Sequence, residues 1–274
     1  MKIGKRQAAA LLAAAALPAP AMAQSAREIR QRTLIVGVPS DPANLEPGTN
    51  RAEPIGSEII LNVFDTLLAW KAPAFDTLEG RLAASWTVSA DGKVFDFALR
   101  PNVKFHDGTA CDAAAVKAAL ERTKAINPYM RASFDPIAGI EATGPLALRI
   151  TLKETMPVFL SLLAQPQAAI ASPTAWQRHG DAFSVNPVGT GPFRFRSYRR
   201  DTDVVLDANP DYFRGAPQLA RIIYRIIPDA STRRLELENG GLDIVHQAGQ
   251  LAAPPVQDVR ALRSNPDIEV IEVP

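Results

Sequence analysis

The chain has 274 residues, 47% of them hydrophobic, and 30 lysines and arginines against 29 aspartates and glutamates leave a net charge of +1. So even a balance offers no field for nucleic acid or another polyanion. The single cysteine, Cys111, excludes an internal disulfide and a zinc site built on thiolates, so stability has to come from apolar burial.

Lys2, Lys5 and Arg6, the apolar run Ala8 to Leu17 and then Ala21-Met22-Ala23 have the three parts of a secretory leader, with cleavage expected after Ala23. The apolar run falls well short of the roughly 20 residues that cross a bilayer, and no later stretch is long and apolar enough, so a soluble, exported product is expected. Removing the leader leaves roughly 250 residues, enough for one large or two modest domains.

Beyond a polar linker at residues 24–32, "TLIVGV" (Thr33 to Val38) reads as a short buried strand closed by the breakers of "PSDPANLEPG". "PIGSEIILNVFDTLL" then reads as a helix: Pro54 suits its first turn, and Ile55, Ile59, Val63 and Leu67 recur every four residues as one apolar stripe. In "LAASWTVSADGKVFDFALR", Phe95, Phe97 and Leu99 alternate with polar or small residues, and Asp91-Gly92 stands where a tight hairpin turn belongs.

"LRPNVKFHDGTACDAAAVKAAL" brings His106, Asp107, Cys111 and Asp112 close together in sequence. A metal site would need the imidazole and both carboxylates to converge, yet they lie across a strand end, a turn and a helix start. Asp107-Gly108 is a turn dipeptide, and Thr109 or Asp112 is placed to cap an alanine-rich helix running to about Thr123, with Val116 and Leu120 on one face. The reading is a structural turn, with Cys111 a small packed residue.

Further on, "IAGIEATGPLALRITL" gives two strands around Thr143-Gly144-Pro145. "MPVFLSLLAQPQAAIAS" gives a short helix and then a strand, and "PTAWQRHG" a helix stopped by Gly180. "PFRFRSYRRDTDVVLDANPDYF" contains a hairpin. "RIIYRIIPDASTRRLELENGGLDIV" is strand, helix, strand, with Asp229 or Ser231 as cap, Leu235 and Leu237 packed, and Gly240-Gly241 ending the helix. A helix and a strand, "IEVIEV", occupy the tail.

Familiar catalytic patterns are missing. His106, His179 and His246 are the only histidines and none sits in a helical zinc pair, and no G-x-S-x-G elbow appears. "VGTGPF" does not open a helix as a phosphate loop must, so Gly189 and Gly191 serve close approach, either of backbone to backbone or of backbone to ligand.

Taken together, "LAASWTVSADGKVFDFALRPNVKFHDGTACDAAAV", "VGTGPFRF", "LDANPDYFRGAPQL" and "PDASTRRLELENGGLDIV" resemble the family 5 extracellular solute-binding proteins, the dipeptide, oligopeptide and nickel receptors of ABC importers. The resemblance runs from about Leu34 to Asp243 and implies an α/β fold of the type II periplasmic-binding-protein kind. Lobe I would comprise residues 33–50 and 183–250, a small α+β subdomain would be inserted at 51–182, and 251–274 would begin a crossover to a second lobe that this chain lacks. It also implies a periplasmic, monomeric receptor for a peptide or other small solute that works with an inner-membrane ABC permease, without a cofactor and without catalysis.

Ligand-binding residues follow from the same resemblance. Asp41 and Asn44 lie in the loop after the first strand, where ligands gather beyond the carboxyl ends of parallel strands. Tyr129 in "NPYMRASF" matches a peptide-contacting tyrosine, His246 falls near an aromatic lining position, and Gly189, Thr190 and Gly191 complete the set. Each has a plainer alternative: Asp41 ordering its own turn, Tyr129 in a core, His246 in solvent. The binding mode implied is strand addition of an extended peptide, with affinity from its backbone and tolerance from roomy pockets. Absence of a second lobe would weaken binding and expose a sheet edge. Two rivals are a half-receptor paired with a separate second lobe and, further off, a secreted hydrolase.

Overall fold

The computed structural model describes residues 28–245 and 256–271, and the expected leader lies outside them. Strand β1 (Thr33–Val38) leads through the loop that begins at Pro39 into helix α1 (Pro54–Val63). Glu53 caps α1, its two carboxylate oxygens accepting from the N–H groups of Ile55 at 2.8 Å and Gly56 at 2.7 Å, and Pro54 takes the first turn, where a missing N–H costs nothing. The helix stops at Val63, short of the expected Leu67: Phe64 turns extended, and Leu67 is buried in a different core from Ile55, Ile59 and Val63.

A small hairpin, β2 (Leu68–Trp70) with β3 (Leu78–Gly80), precedes β4 (Ala83–Val88) and β5 (Val94–Leu99), whose turn uses Gly92 at φ 68°. Helix α2 (Ala113–Ile126) is capped by Asp112, not Thr109, the carboxylate accepting from Ala115 N–H at 2.9 Å. Strands β6 (Ile137–Gly144) and β7 (Ala147–Leu152) complete an antiparallel sheet of order β4-β5-β7-β6. Phe95, Phe97, Val116, Leu120, Leu148 and Ile150 fill its core, with buried Cys111 among them, as the pattern of half-buried strands under an amphipathic helix requires.

After a short helix at Phe159–Leu162 the expected strand does not form. Residues 169–171 run buried beside the chain, Ile170 N–H donating to Asp65 O, with no strand ladder. Helix α3 (Pro173–His179) is capped by Ser172 and ended by Gly180 at φ 54°. Then come β8 (Phe193–Arg199), β9 (Asp203–Ala208), β10 (Arg221–Ile226), α4 (Ala230–Glu238, capped by Asp229) and β11 (Ile244–Val245). In α4 the inward position belongs to Arg233, whose guanidinium donates to Ile227 O and Pro228 O, and Leu235 points outward, 50% exposed. Helix α5 (Val256–Arg263) is present, whereas Ile268 to Ile271 form no strand.

These strands make a five-stranded sheet of order β11-β1-β10-β9-β8, with β1 parallel to both β10 and β11 and the rest antiparallel. Val36, Val38, Leu206, Ile222 and Tyr224 from the sheet share a core with Ile55, Ile59 and Val63 of α1. Helix α1 therefore packs on the larger sheet. The inserted unit expected from residue 51 does not include it, because an apolar stripe on α1 belongs with whichever apolar face it covers. Trp176 and Val188 touch both cores and join them.

Candidate ligand cleft and the joint beneath it

Two antiparallel steps, β10 to β9 and β9 to β8, give β8 the same direction as β1 and β10. The segments after Val38, Arg199 and Ile226 consequently emerge at one edge of the sheet, the edge where ligands collect in open α/β sheets. A pocket of about 500 Å³ opens there, lined by residues 41–45, Ser184, Val185, Tyr198 and Arg200.

Its wall is held by hydrogen bonds at both ends. Asp41 Oδ1 accepts from Tyr198 O–H at 2.7 Å, and the carboxylate also accepts from Asp201 N–H at 3.1 Å, which fastens the loop after β1 to the β8–β9 turn. Burial, then the bond to Asp41, pushes the Tyr198 phenol up to about 12, so it remains a neutral donor through the physiological range. Asn44 accepts from Glu46 N–H and donates to Thr49 O, both at 3.2 Å, shaping the loop from within. Leu45 N–H donates to Ser184 O, and Glu46 pairs with Arg122 at 2.6 Å while that guanidinium stands 5.1 Å from the Trp176 ring centroid. A loop with this many anchors is a preformed wall.

Gly189, Thr190 and Gly191 lie elsewhere, at the joint between the two cores. A side-chain carbon on Gly189 would stand 2.3 Å from Val63 O, and one on Gly191 2.6 Å from Asn62 O. The close approach is thus of backbone to backbone, against the end of α1, and none of the three residues lines the pocket. Thr190, 1% exposed, donates to Asp65 Oδ2 at 2.8 Å, and Tyr212 O–H donates to Asp65 Oδ1 at 2.9 Å. Burial raises the Asp65 pKa more than these bonds and Arg81, 3.9 Å away, lower it. His106 N–H donates to Gly189 O at 2.8 Å, and its Nε2 stands 3.0 Å from Gly191 O, a distance that assigns the proton to Nε2. Burial lowers the imidazole pKa to about 4.

The cluster around His106 is thereby architectural. Asp107 accepts from Thr109 and, at 2.6 Å, from Ser172 O–H; burial pushes the Cys111 thiol up. Among the described residues no three His, Cys, Asp or Glu side chains are grouped to hold a metal, and no helix is long and apolar enough to cross a membrane.

Tyr129 is not core: it is 52% exposed, just past α2, with the Arg51 guanidinium 5.1 Å from its ring centroid, and neither residue is part of the pocket lining. His246 lies outside the described residues. Sequence reasoning missed Tyr198, Arg200, Ser184 and Val185. The signal for the first two was the "YRRD" turn after an alternating strand, but it places them at the cleft only once β8 is known to run parallel to β1.

A mixed sheet, a helix packed back on it, an inserted antiparallel unit and a pocket at the strands' carboxyl edge define the first lobe of a type II periplasmic-binding-protein-like fold. The family model for bacterial extracellular solute-binding proteins, family 5, matches residues 77–274, and the chain belongs to that family. It is 31% identical over 249 residues to the probable D,D-dipeptide-binding periplasmic protein DdpA of Escherichia coli K12, covering 88% of this chain and 47% of that protein. The structure of DppA from Helicobacter pylori in complex with the peptide STSA aligns with a TM-score of 0.77 and 26% identity, over 88% of this chain and 51% of that one. That of MoaA from A. tumefaciens R10 in complex with mannopinic acid also aligns with a TM-score of 0.77, at 30% identity over 86% and 48%. The chain spans about half the length of the relatives it matches.

Proposed function

We propose that this chain supplies the ligand-receiving lobe of the solute-binding component of an ABC importer, taking peptides or related small solutes in the periplasm and presenting them, as a monomer, to an inner-membrane permease. One observation carries the reading: the long loop at the carboxyl edge of β1 is anchored from Asp41 to Glu46 and walls a preformed pocket of about 500 Å³. Family membership and the ligands named for DppA and DdpA support a peptide class. Asp41 and Asn44 line the pocket, Asp41 presenting its remaining acceptor capacity to a donor on the solute. Tyr129 and His246 are the other ligand contacts we propose. Glycines 189 and 191 with Thr190 act indirectly, by seating the end of α1 against the joint. Among the described residues the hydrolase alternative loses two candidate groups, since His106 is spent on a backbone carbonyl and Cys111 is buried.

The test is a nuclear magnetic resonance titration of the chain with di- and tripeptides at millimolar concentration. Saturable shifts confined to residues 41–45, 184–185 and 198–200 support the reading. Shifts absent there, or turnover of the peptide, overturn it.

A further inference from the structure

We propose that Arg51, seated on the ring of Tyr129, is an anion-recognition residue on the rim of this cleft and makes the site select solutes that carry a carboxylate. This deepens the proposed function and rests on it.

Position comes first. β1 ends at Val38 and α1 starts at Pro54 and packs back over the sheet, so the N-terminus of α1, three residues after Arg51, stands at the same carboxyl edge as the pocket. The N–H groups of that terminus are already taken by the Glu53 carboxylate, so the guanidinium itself is the positive group offered to a solute there.

Presentation is fixed by a buried amide pair. Asn50, fully buried, accepts from Ala52 N–H at 2.8 Å and from Ser57 O–H at 3.2 Å, and Ala52 stands at φ 59°, a left-handed conformation that costs an alanine energy and persists only where its surroundings impose it. Asn127, 1% exposed, donates to Asn50 O at 3.4 Å, and its side-chain oxygen accepts from Tyr129 N–H at 2.9 Å and Met130 N–H at 3.1 Å. One pair of joined asparagines therefore sets the backbone beneath both Arg51 and Tyr129. Solvent surrounds the two side chains, but the segments that carry them are anchored.

Charge supplies the remaining step. Arg122, Arg149, Arg196, Arg199, Arg221 and Arg225 each reach a carboxylate; among the described residues Arg51 has none within ion-pair distance. The nearest acid in sequence, Glu53, is occupied by two helix N–H groups. Stacking over an aromatic ring leaves the in-plane N–H fork of a guanidinium open, and that fork matches the two oxygens of a carboxylate. A lysine here would keep the charge and lose the fork.

The experiment titrates the whole chain with trialanine and with trialanine amide, following backbone and arginine side-chain resonances. Wild-type chain is expected to bind the acid about fivefold more tightly than the amide, with Arg51 Nε shifting only for the acid. R51M is expected to abolish that preference without weakening amide binding, R51K to restore part of it, and Y129L to reduce it, all with unchanged thermal midpoints because both residues are exposed. Equal binding of acid and amide by wild-type chain, or an acid preference that survives R51M, overturns the inference while leaving the cleft in place. Absence of shifts for both probes at residues 41–45 and 198–200 overturns the cleft reading and this inference with it.

Discussion

Gly191 N–H donates to Val63 O across 2.9 Å, and this bond joins the last turn of α1 to the segment that leads into β8. It replaces an intrahelical partner the helix end lacks, and it requires a residue without a side chain, since any Cβ at position 191 falls within 3 Å of Asn62 O and Val63 O.

G191A and G189A are each expected to cost about 3 kcal/mol, because the obstruction is helix backbone and cannot step aside as a flexible side chain would. Chemical denaturation at neutral pH measures it. G108A provides the contrast: its surroundings are open and only its positive φ opposes the substitution, so a loss of about 1 kcal/mol is expected.

His106 makes the joint acid-sensitive. Burial depresses its folded pKa to about 4 from an ordinary 6.5, so the folded state binds fewer protons than the unfolded state between those values. The contribution of the neutral ring is complete above pH 6.5 and is lost as pH falls toward 4, amounting to about 3 kcal/mol. H106Q keeps a donor in place of Nε2 and removes the titration. The difference in unfolding free energy between wild type and H106Q should therefore fall across that window and be level on either side of it.

Asp65 and Thr190 form a buried pair whose partners cannot turn to water. T190V preserves volume but leaves one oxygen of a desolvated carboxylate without its donor, at a cost of about 2 kcal/mol. The Asp65 pKa is already raised, so this group favours the folded state most when protonated, and that contribution fades as pH rises through its folded pKa. Removing a donor raises the pKa further, so the T190V penalty should be larger at pH 7 than at pH 4, as urea denaturation at about those two values would show.

Asp41 contributes to the Tyr198 pKa of about 12, burial being the larger cause. D41A should lower the phenol pKa part of the way toward its ordinary value, seen by ultraviolet tyrosinate titration. It should cost no more than about 1 kcal/mol of stability, since the residue is only half-buried, and it should weaken solute binding.

Cys111 is 4% exposed, with its thiol pKa pushed up by burial and by Asp65 and Asp112. Its alkylation by a thiol reagent should be negligible in the native chain, rising with denaturant in parallel with unfolding.

Local signals along the chain mark most elements. Asp112, Ser172 and Asp229 cap the helices that follow them, Gly92 and Gly108 adopt the turns that Asp-Gly dipeptides announce, and Phe95, Phe97 and Leu99 face one core. These are properties of neighbours within a few residues, which period and capping chemistry record. Leu67 and Leu235 depart from expectation because an apolar residue at helical spacing says that a helix has a stripe without saying where the helix stops or which side is covered. Family likeness, carried by separate motifs in order, is equally a matter of sequence.

Tertiary structure alone decided which core α1 joins, that Gly189-Thr190-Gly191 clasp a helix end, and that Tyr198 and Arg200 share a pocket with Asp41 from the far side of the chain. The residues involved are far apart along the chain, and the direction of β8 relative to β1 follows only from the ladder that links them. A chain's local preferences carry no record of such pairings, because they arise when whole apolar faces find one another and buried polar groups then take whatever partners that packing leaves within reach.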